Sequence, residues 1–134
     1  MNPELIMVIN AAIIEDGKLL IVKKKNSSYW ILPGGKLNQG ENDHDCLIRE
    51  ISEELSNTKI EGIELYRDFY DFTHLTPNSK KYLQSRVYFA RINGELCGIS
   101  SEISDFAFED RKKKNNLSPL TSNVIDDLVG DGYL

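Results

Sequence analysis

The sequence predicts an α/β domain in which a sheet is covered by helices, and three observations carry that prediction. Runs rich in Ile, Val, Leu and aromatic residues are separated by turn signals such as Asp16-Gly17 and Pro33-Gly34-Gly35. Two other segments repeat their apolar residues at helical spacing behind a capping residue, one from Asn42 and one from Ser118. A chain of 134 residues can bury its own core, so residues 1–134 are expected to form a single domain.

Leu5 to Ile14 alternates poorly, which suits a central strand buried on both faces. It is interrupted by Asn10 and is too short to span a bilayer. Asp16-Gly17 is a hairpin turn, and Lys18 to Lys24 returns as a second strand. After a loop at Asn26 to Ser28, the strand Tyr29 to Leu32 is expected to stop at Pro33-Gly34-Gly35. Asn42 to Leu55 is helical, with Leu47, Ile48, Ile51 and Leu55 on one side and Asn42 or Asp43 as the N-cap. Ile63 to Phe72 and Tyr82 to Ile92 read as longer strands joined by a polar loop containing Pro77 and Asn78. Phe106 to Phe108 is a short strand, and Ser118-Pro119 opens a last helix running to about Val129.

Composition narrows the function classes. A formal charge of −5 lacks the basic excess of a protein that grips a nucleic-acid backbone, so no nucleic-acid partner is expected. Cys46 and Cys97 form no CxxC pair, which suits a reducing compartment and argues against a zinc site. With no positively charged leader evident before the first apolar run, a cytoplasmic protein with no membrane partner is expected. The basic runs Lys23-Lys24-Lys25 and Arg111 to Lys114 are solvated surface or a rim that attracts polyphosphate. His44 lies away from the helix carboxylates, whereas His74, in a loop, is surface or substrate-facing. Among Tyr29, Trp30, Tyr70, Phe72 and Tyr82, one or two can stack on a base.

Chemistry concentrates on the first helix. Glu50, Glu53 and Glu54 stand at i, i+3 and i+4 and so share a face. Convergent carboxylates are what a hard divalent cation takes, with positions left for water and phosphate. The plainer alternative is a solvated acidic face on which Arg49 pairs with Glu53. The upstream residues decide between them. A Gly-Gly turn lets the backbone approach an oxyanion or metal closely. From Gly35 the chain runs five residues to Glu41, then seven to Arg49-Glu50-Ile51-Ser52-Glu53-Glu54.

This spacing, preceded by Trp30-Ile31-Leu32-Pro33-Gly34, resembles the Nudix box of the Nudix hydrolases, here Gly35 to Asn57. The resemblance implies a Nudix fold, a mixed β-sheet sandwiched between helices (α/β/α). It also implies a MutT-like hydrolase that cleaves a nucleoside diphosphate linked to a further group, using Mg2+ or Mn2+. By the same resemblance Glu50, Glu53 and Glu54, with the Gly34 carbonyl, look like metal ligands. Arg49 looks like the residue that orients the glutamates, with Glu41 as its partner. The base that activates water is either a box glutamate, Glu50 or Glu53, or the loop residue Glu102 ahead of Phe106-Ala107-Phe108. Gly34, Gly35 and Lys36 are the expected substrate-binding residues.

The box departs from its pattern at one end, where Ser56 and Asn57 replace a glycine and an apolar residue. A glycine there takes the left-handed conformation that ends a helix, and Asn57 is expected to take it over one position later. The marker Pro or Tyr of ADP-ribose and dinucleotide pyrophosphatases is missing from the window Phe72 to Leu75. A small-molecule nucleotide, in particular a nucleoside triphosphate or a modified one, is therefore the expected substrate. ADP-ribose, nucleotide sugars, dinucleoside polyphosphates and a non-catalytic nucleotide sensor are the alternatives, and a homodimer is left open.

Overall fold

The computed structural model of the chain describes residues 4–72, 75–111 and 114–134. In chain order its elements are β1 (Glu4–Glu15), β2 (Lys18–Lys24), β3 (Trp30–Ile31), β4 (Gly34–Lys36) and α1 (Asp43–Glu54). There follow β5 (Ile60–Asp71), β6 (Leu75–Thr76), β7 (Ser79–Ile92), β8 (Ile103–Glu109) and α2 (Pro119–Gly130). No helix among the described residues is long and apolar enough to cross a membrane.

β1 organises the molecule. One edge runs parallel to β7 from Glu4 to Ile13. The other edge is divided, with Val8 to Asn10 pairing β4 and Ile14 and Glu15 pairing β2. The sheet order is β3-β2-β1-β7-β5, with β8 added to β2. Because side chains alternate along a strand, β1 feeds two cores. Ile9, Ala11 and Ile13 meet Cys46, Leu47, Ile51 and Leu55 of the α1 side. On the opposite face Ala12, with Leu19, Ile21 and Val87, meets Leu120, Val124, Ile125 and Leu128 of α2. A fully buried Leu or Ile contributes about 1.5–3 kcal/mol, so the sheet is held from both sides. The expected mixed sheet between helices is the observed fold.

Local chemistry sets the ends of α1. Asn42 is the N-cap and accepts from the Asp45 N–H at 2.8 Å. Asp43 accepts from the Tyr88 hydroxyl at 2.5 Å and from Arg86 at 2.8 Å, which pins the helix start to β7. Burial raises the Asp43 pKa, but these two donors outweigh it and hold the carboxyl below its usual range. At the other end the Asn57 N–H closes on the Ser52 carbonyl at 2.8 Å. Both Ser56 (φ 46°) and Asn57 (φ 64°) are left-handed, so Ser56 does occupy the glycine position and Asn57 extends the turn rather than replacing it.

Two further expectations change. Pro33-Gly34-Gly35 was expected only to stop a strand, yet Gly34–Lys36 starts a new one against β1. Ile48, placed on the apolar side of α1, is 46% exposed, because the buried face turns toward Cys46 and Glu54.

Candidate active site

Asn10, the one polar residue in the buried stretch of β1, anchors the glycine turn. The Asn10 amide nitrogen donates to the Leu32 and Pro33 carbonyls at 3.2 and 3.3 Å, while its oxygen accepts from the Ser85 hydroxyl at 2.6 Å. The Ala11 N–H donates to the Pro33 carbonyl at 2.9 Å. The turn is thereby pressed flat on β1. A Cβ at Gly34, whose φ is +138°, would lie 2.1 Å from the Ile9 carbonyl oxygen. A Cβ at Gly35 would lie 2.4 Å from the Glu50 carboxyl carbon, so that carboxylate fills the space a side chain would take.

Glu54 is buried, at 1% exposure, and its Oε1 accepts from the Gly34 N–H at 2.7 Å. Its Oε2 is also buried and has no hydrogen-bond partner. The Lys24 ammonium stands 3.9 Å away. Burial pushes the Glu54 carboxyl up to about 7, against the lowering effects of the Gly34 N–H and Lys24. Glu50 and Glu102 push it further up, which places the Glu102 charge within electrostatic reach of Glu54. The loop holding Glu102 is itself tied to the end of α1, through the Ser100 N–H on the Glu54 carbonyl at 2.9 Å.

Arg49 gathers the remaining acids. Its Nε and Nη2 grip both oxygens of Glu41 at 2.7 and 2.9 Å, and its Nη1 donates to Glu50 at 2.9 Å and Glu53 at 3.5 Å. The Arg49 guanidinium holds the Glu41 carboxyl down to about 2. Glu50, Glu53 and Glu54 thus occupy one region without forming a ready-made ligand group, and no such cluster exists among the described residues. Arg49 shares Glu50 and Glu53, while Glu54 turns inward.

The donor set nevertheless fits a hard divalent cation. A buried carboxylate oxygen without a donor is costly unless positive charge compensates it, and carboxylate and carbonyl oxygens are the ligands that such cations take.

A cavity of about 570 Å³, within the usual range for small-molecule sites, lies alongside. Lys24 and Gly34, the two groups beside the Glu54 carboxylate, both line it, as do Gly35, Asn10, Tyr29 and Asp71. The first residues of α2 form another wall. Ser118 caps that helix and accepts from the Thr121 N–H at 3.2 Å.

Gly34 and Gly35 stand at this junction, but Lys36 does not reach it. Its side chain is exposed off the cavity wall, and its carbonyl accepts from Arg49 at 3.4 Å. His44 packs edge-on to Tyr88, and His74 lies outside the described residues. Trp30 belongs to the core, with Lys23 and Lys114 at its ring. Tyr70, Phe72 and Tyr82 stack on one another outside the cavity. Sequence reasoning missed Asn10 and Asp71 as parts of the site, whereas Lys24 belongs to the basic run read as solvated surface or a rim that attracts polyphosphate, and it lines the cavity. Of the two missed residues, Asn10 carried a signal, as the one amide in an apolar run.

The NUDIX domain family model matches residues 6–124. The chain is 35% identical over 137 aligned residues to the uncharacterized Nudix hydrolase YvcI of Bacillus subtilis, covering 95% of this chain and 82% of that protein. It is 28% identical to the 8-oxo-dGTP diphosphatase of Buchnera aphidicola, covering 90% of this chain and 91% of that protein. The fold is shared with the crystal structure of the MutT NUDIX hydrolase from Burkholderia pseudomallei, at a TM-score of 0.78 and 24% identity, over 92% of this chain and 97% of that one. A box whose spacing, glycine turn and buried glutamate occur together in such a frame leaves one conclusion: the chain belongs to the Nudix hydrolase family.

Proposed function

We propose that this Nudix pyrophosphohydrolase acts on ordinary or modified nucleoside triphosphates, cleaving a phosphoanhydride bond with Mg2+ or, in its place, Mn2+. The observation that carries the reading is the contiguity of acid cluster and cavity. Glu54 has a buried oxygen without a hydrogen-bond partner, and the groups beside its carboxylate, Gly34 and Lys24, line a cavity of ligand size. The name of the Buchnera aphidicola relative supports a nucleoside triphosphate substrate.

In this reading Glu50, Glu53, Glu54 and the Gly34 carbonyl hold the cation. When bound there, it neutralises phosphate oxygens and lowers the pKa of a water. Arg49 fixes the glutamates through its grip on Glu41. Glu102, Glu50 and Glu53 are the candidates for the base, and Lys24 adds a cation facing the phosphates. Residues 1–134 act as one domain, since β1 contributes to both cores. The free thiols of Cys46 and Cys97 suit the cytoplasm.

The test is pyrophosphate and phosphate release over a panel of ordinary and oxidised nucleoside triphosphates, ADP-ribose, dinucleotides and nucleotide sugars, with and without Mg2+. Mg2+-dependent turnover of a triphosphate is the expected result. Preference for a diphosphate conjugate would move the substrate class, and no turnover of any of them would leave a nucleotide sensor.

A further inference from the structure

We propose that Asp71 is the residue that selects the base, accepting the donor edge of a guanine-type nucleotide; this rests on the nucleotide reading above. Asp71 lies on β5 opposite Leu83 of β7, and both line the cavity. Residues directly opposite in an antiparallel pair share a face of the sheet, so the placement is supported twice. Asp71 is only 5% exposed. A buried carboxylate is costly unless it is hydrogen-bonded. It has a partner within the protein, but an ionised carboxylate offers about four acceptor sites, enough to receive a ligand as well.

Its position suits the base rather than the phosphates. Gly34 on β4 marks the glutamate end, and β1 and β7 lie between β4 and β5. Three strand spacings separate the two ends, roughly 14 Å, a span for a phosphate chain, sugar and base laid end to end. Other polar groups in the wall are committed elsewhere. The Asn10 amide serves Leu32, Pro33 and Ser85, and the Ser118 hydroxyl serves Thr121. Tyr29, 52% exposed, adds an aromatic ring to the cavity wall for stacking.

A carboxylate only accepts, so it matches an edge made of donors. Guanine presents N1–H beside N2–H2. Hypoxanthine keeps N1–H alone, and adenine places an acceptor, N1, against the carboxylate. A site built to hydrogen-bond one edge rejects an analogue that leaves its buried polar group unpaired.

The experiment measures kcat/KM of the full chain with Mg2+ for dGTP, dITP and dATP, and in parallel the binding of GMP and AMP by calorimetry. The wild type should rank dGTP above dITP above dATP, with about 100-fold or more between the extremes, and should bind GMP more tightly than AMP. Asp71→Asn, which offers a donor and an acceptor, should collapse or invert the dGTP-to-dATP ratio. The wild-type series stands alone if that variant does not fold. Equal handling of the three bases, or an unchanged ratio in a folded variant, would overturn the proposal while leaving the hydrolase reading intact. Absence of turnover and of binding for every nucleotide would overturn both.

Discussion

Arg67 and Arg49 each gather carboxylates, and they do different work. Arg67 reaches from β5 to the last turn of α2, pairing with Asp127 at 2.8 Å and Asp131 at 3.0 Å. Asp131 caps the negative end of the α2 dipole, where an acid is unfavourable, and Arg67 and the Tyr66 hydroxyl offset it. All three charges are well exposed. Arg49 instead holds three glutamates on one guanidinium beside a fourth, Glu54, that is buried with an oxygen lacking a donor. The first cluster is a clamp that water already screens. In the second, the buried Glu54 oxygen has no hydrogen-bond donor among the described residues, and the Lys24 ammonium stands 3.9 Å from it. Counting acids does not separate the two, whereas burial and partnering do.

The widest gap between the clusters should appear in turnover. Glu53→Gln should lower kcat by about 100-fold or more by weakening the cation's charge effect, with a melting temperature close to wild type because Glu53 is exposed. Near-wild-type turnover would remove Glu53 from the site. Arg49→Lys should cost about 10- to 100-fold in activity or metal affinity, because an ammonium cannot grip both Glu41 oxygens. A lysine variant with full activity would reduce Arg49 to a surface pair. Arg67→Ala should lower stability by no more than about 1 kcal/mol and leave kcat unchanged in a steady-state assay. A loss of turnover there would erase the contrast. Smallest of all, Ser56→Gly should stabilise by up to about 1 kcal/mol in chemical denaturation, since glycine adopts the φ of 46° without strain. Destabilisation would show that the serine side chain contributes there.

Much of the fold was legible because its signals are local. The Asn42 cap, the Asp16-Gly17 turn and the Ser118-Pro119 start each act within a few residues, and each stands where it was expected. β5 was harder to bound. Its register shifts between Glu61 and Glu64 and again between Leu65 and Arg67, so it lacks the clean alternation that marks a strand. β4 was missed for a related reason. Gly34 pairs with Asn10 because it has no side chain, which a local reading takes as a breaker. The glutamates proposed as metal ligands were legible through their spacing on one helix together with the glycine turn upstream. The cavity was not, since Lys24, Tyr29, Asp71 and Ser118 come from separate segments that only the sheet brings together.

In the proposed reading, Glu54 joins the acid cluster to the cavity as a cation ligand. The direct test is unfolding free energy against pH, in EDTA and in excess Mg2+, for wild type and Glu54→Gln. Burial pushes the folded-state carboxyl up to about 7, above the ordinary glutamate value of 4.5, so the folded state binds the extra proton between those values. In EDTA the wild type should therefore lose stability as pH rises from about 4.5 through about 7, by up to ~3 kcal/mol. Mg2+ should restore it by an amount that grows with pH, as the cation replaces the proton. Glu54→Gln should flatten the EDTA profile and abolish most of the Mg2+ gain. A flat wild-type profile in EDTA, with an equal Mg2+ gain in the variant, would rule out Glu54 as a cation ligand.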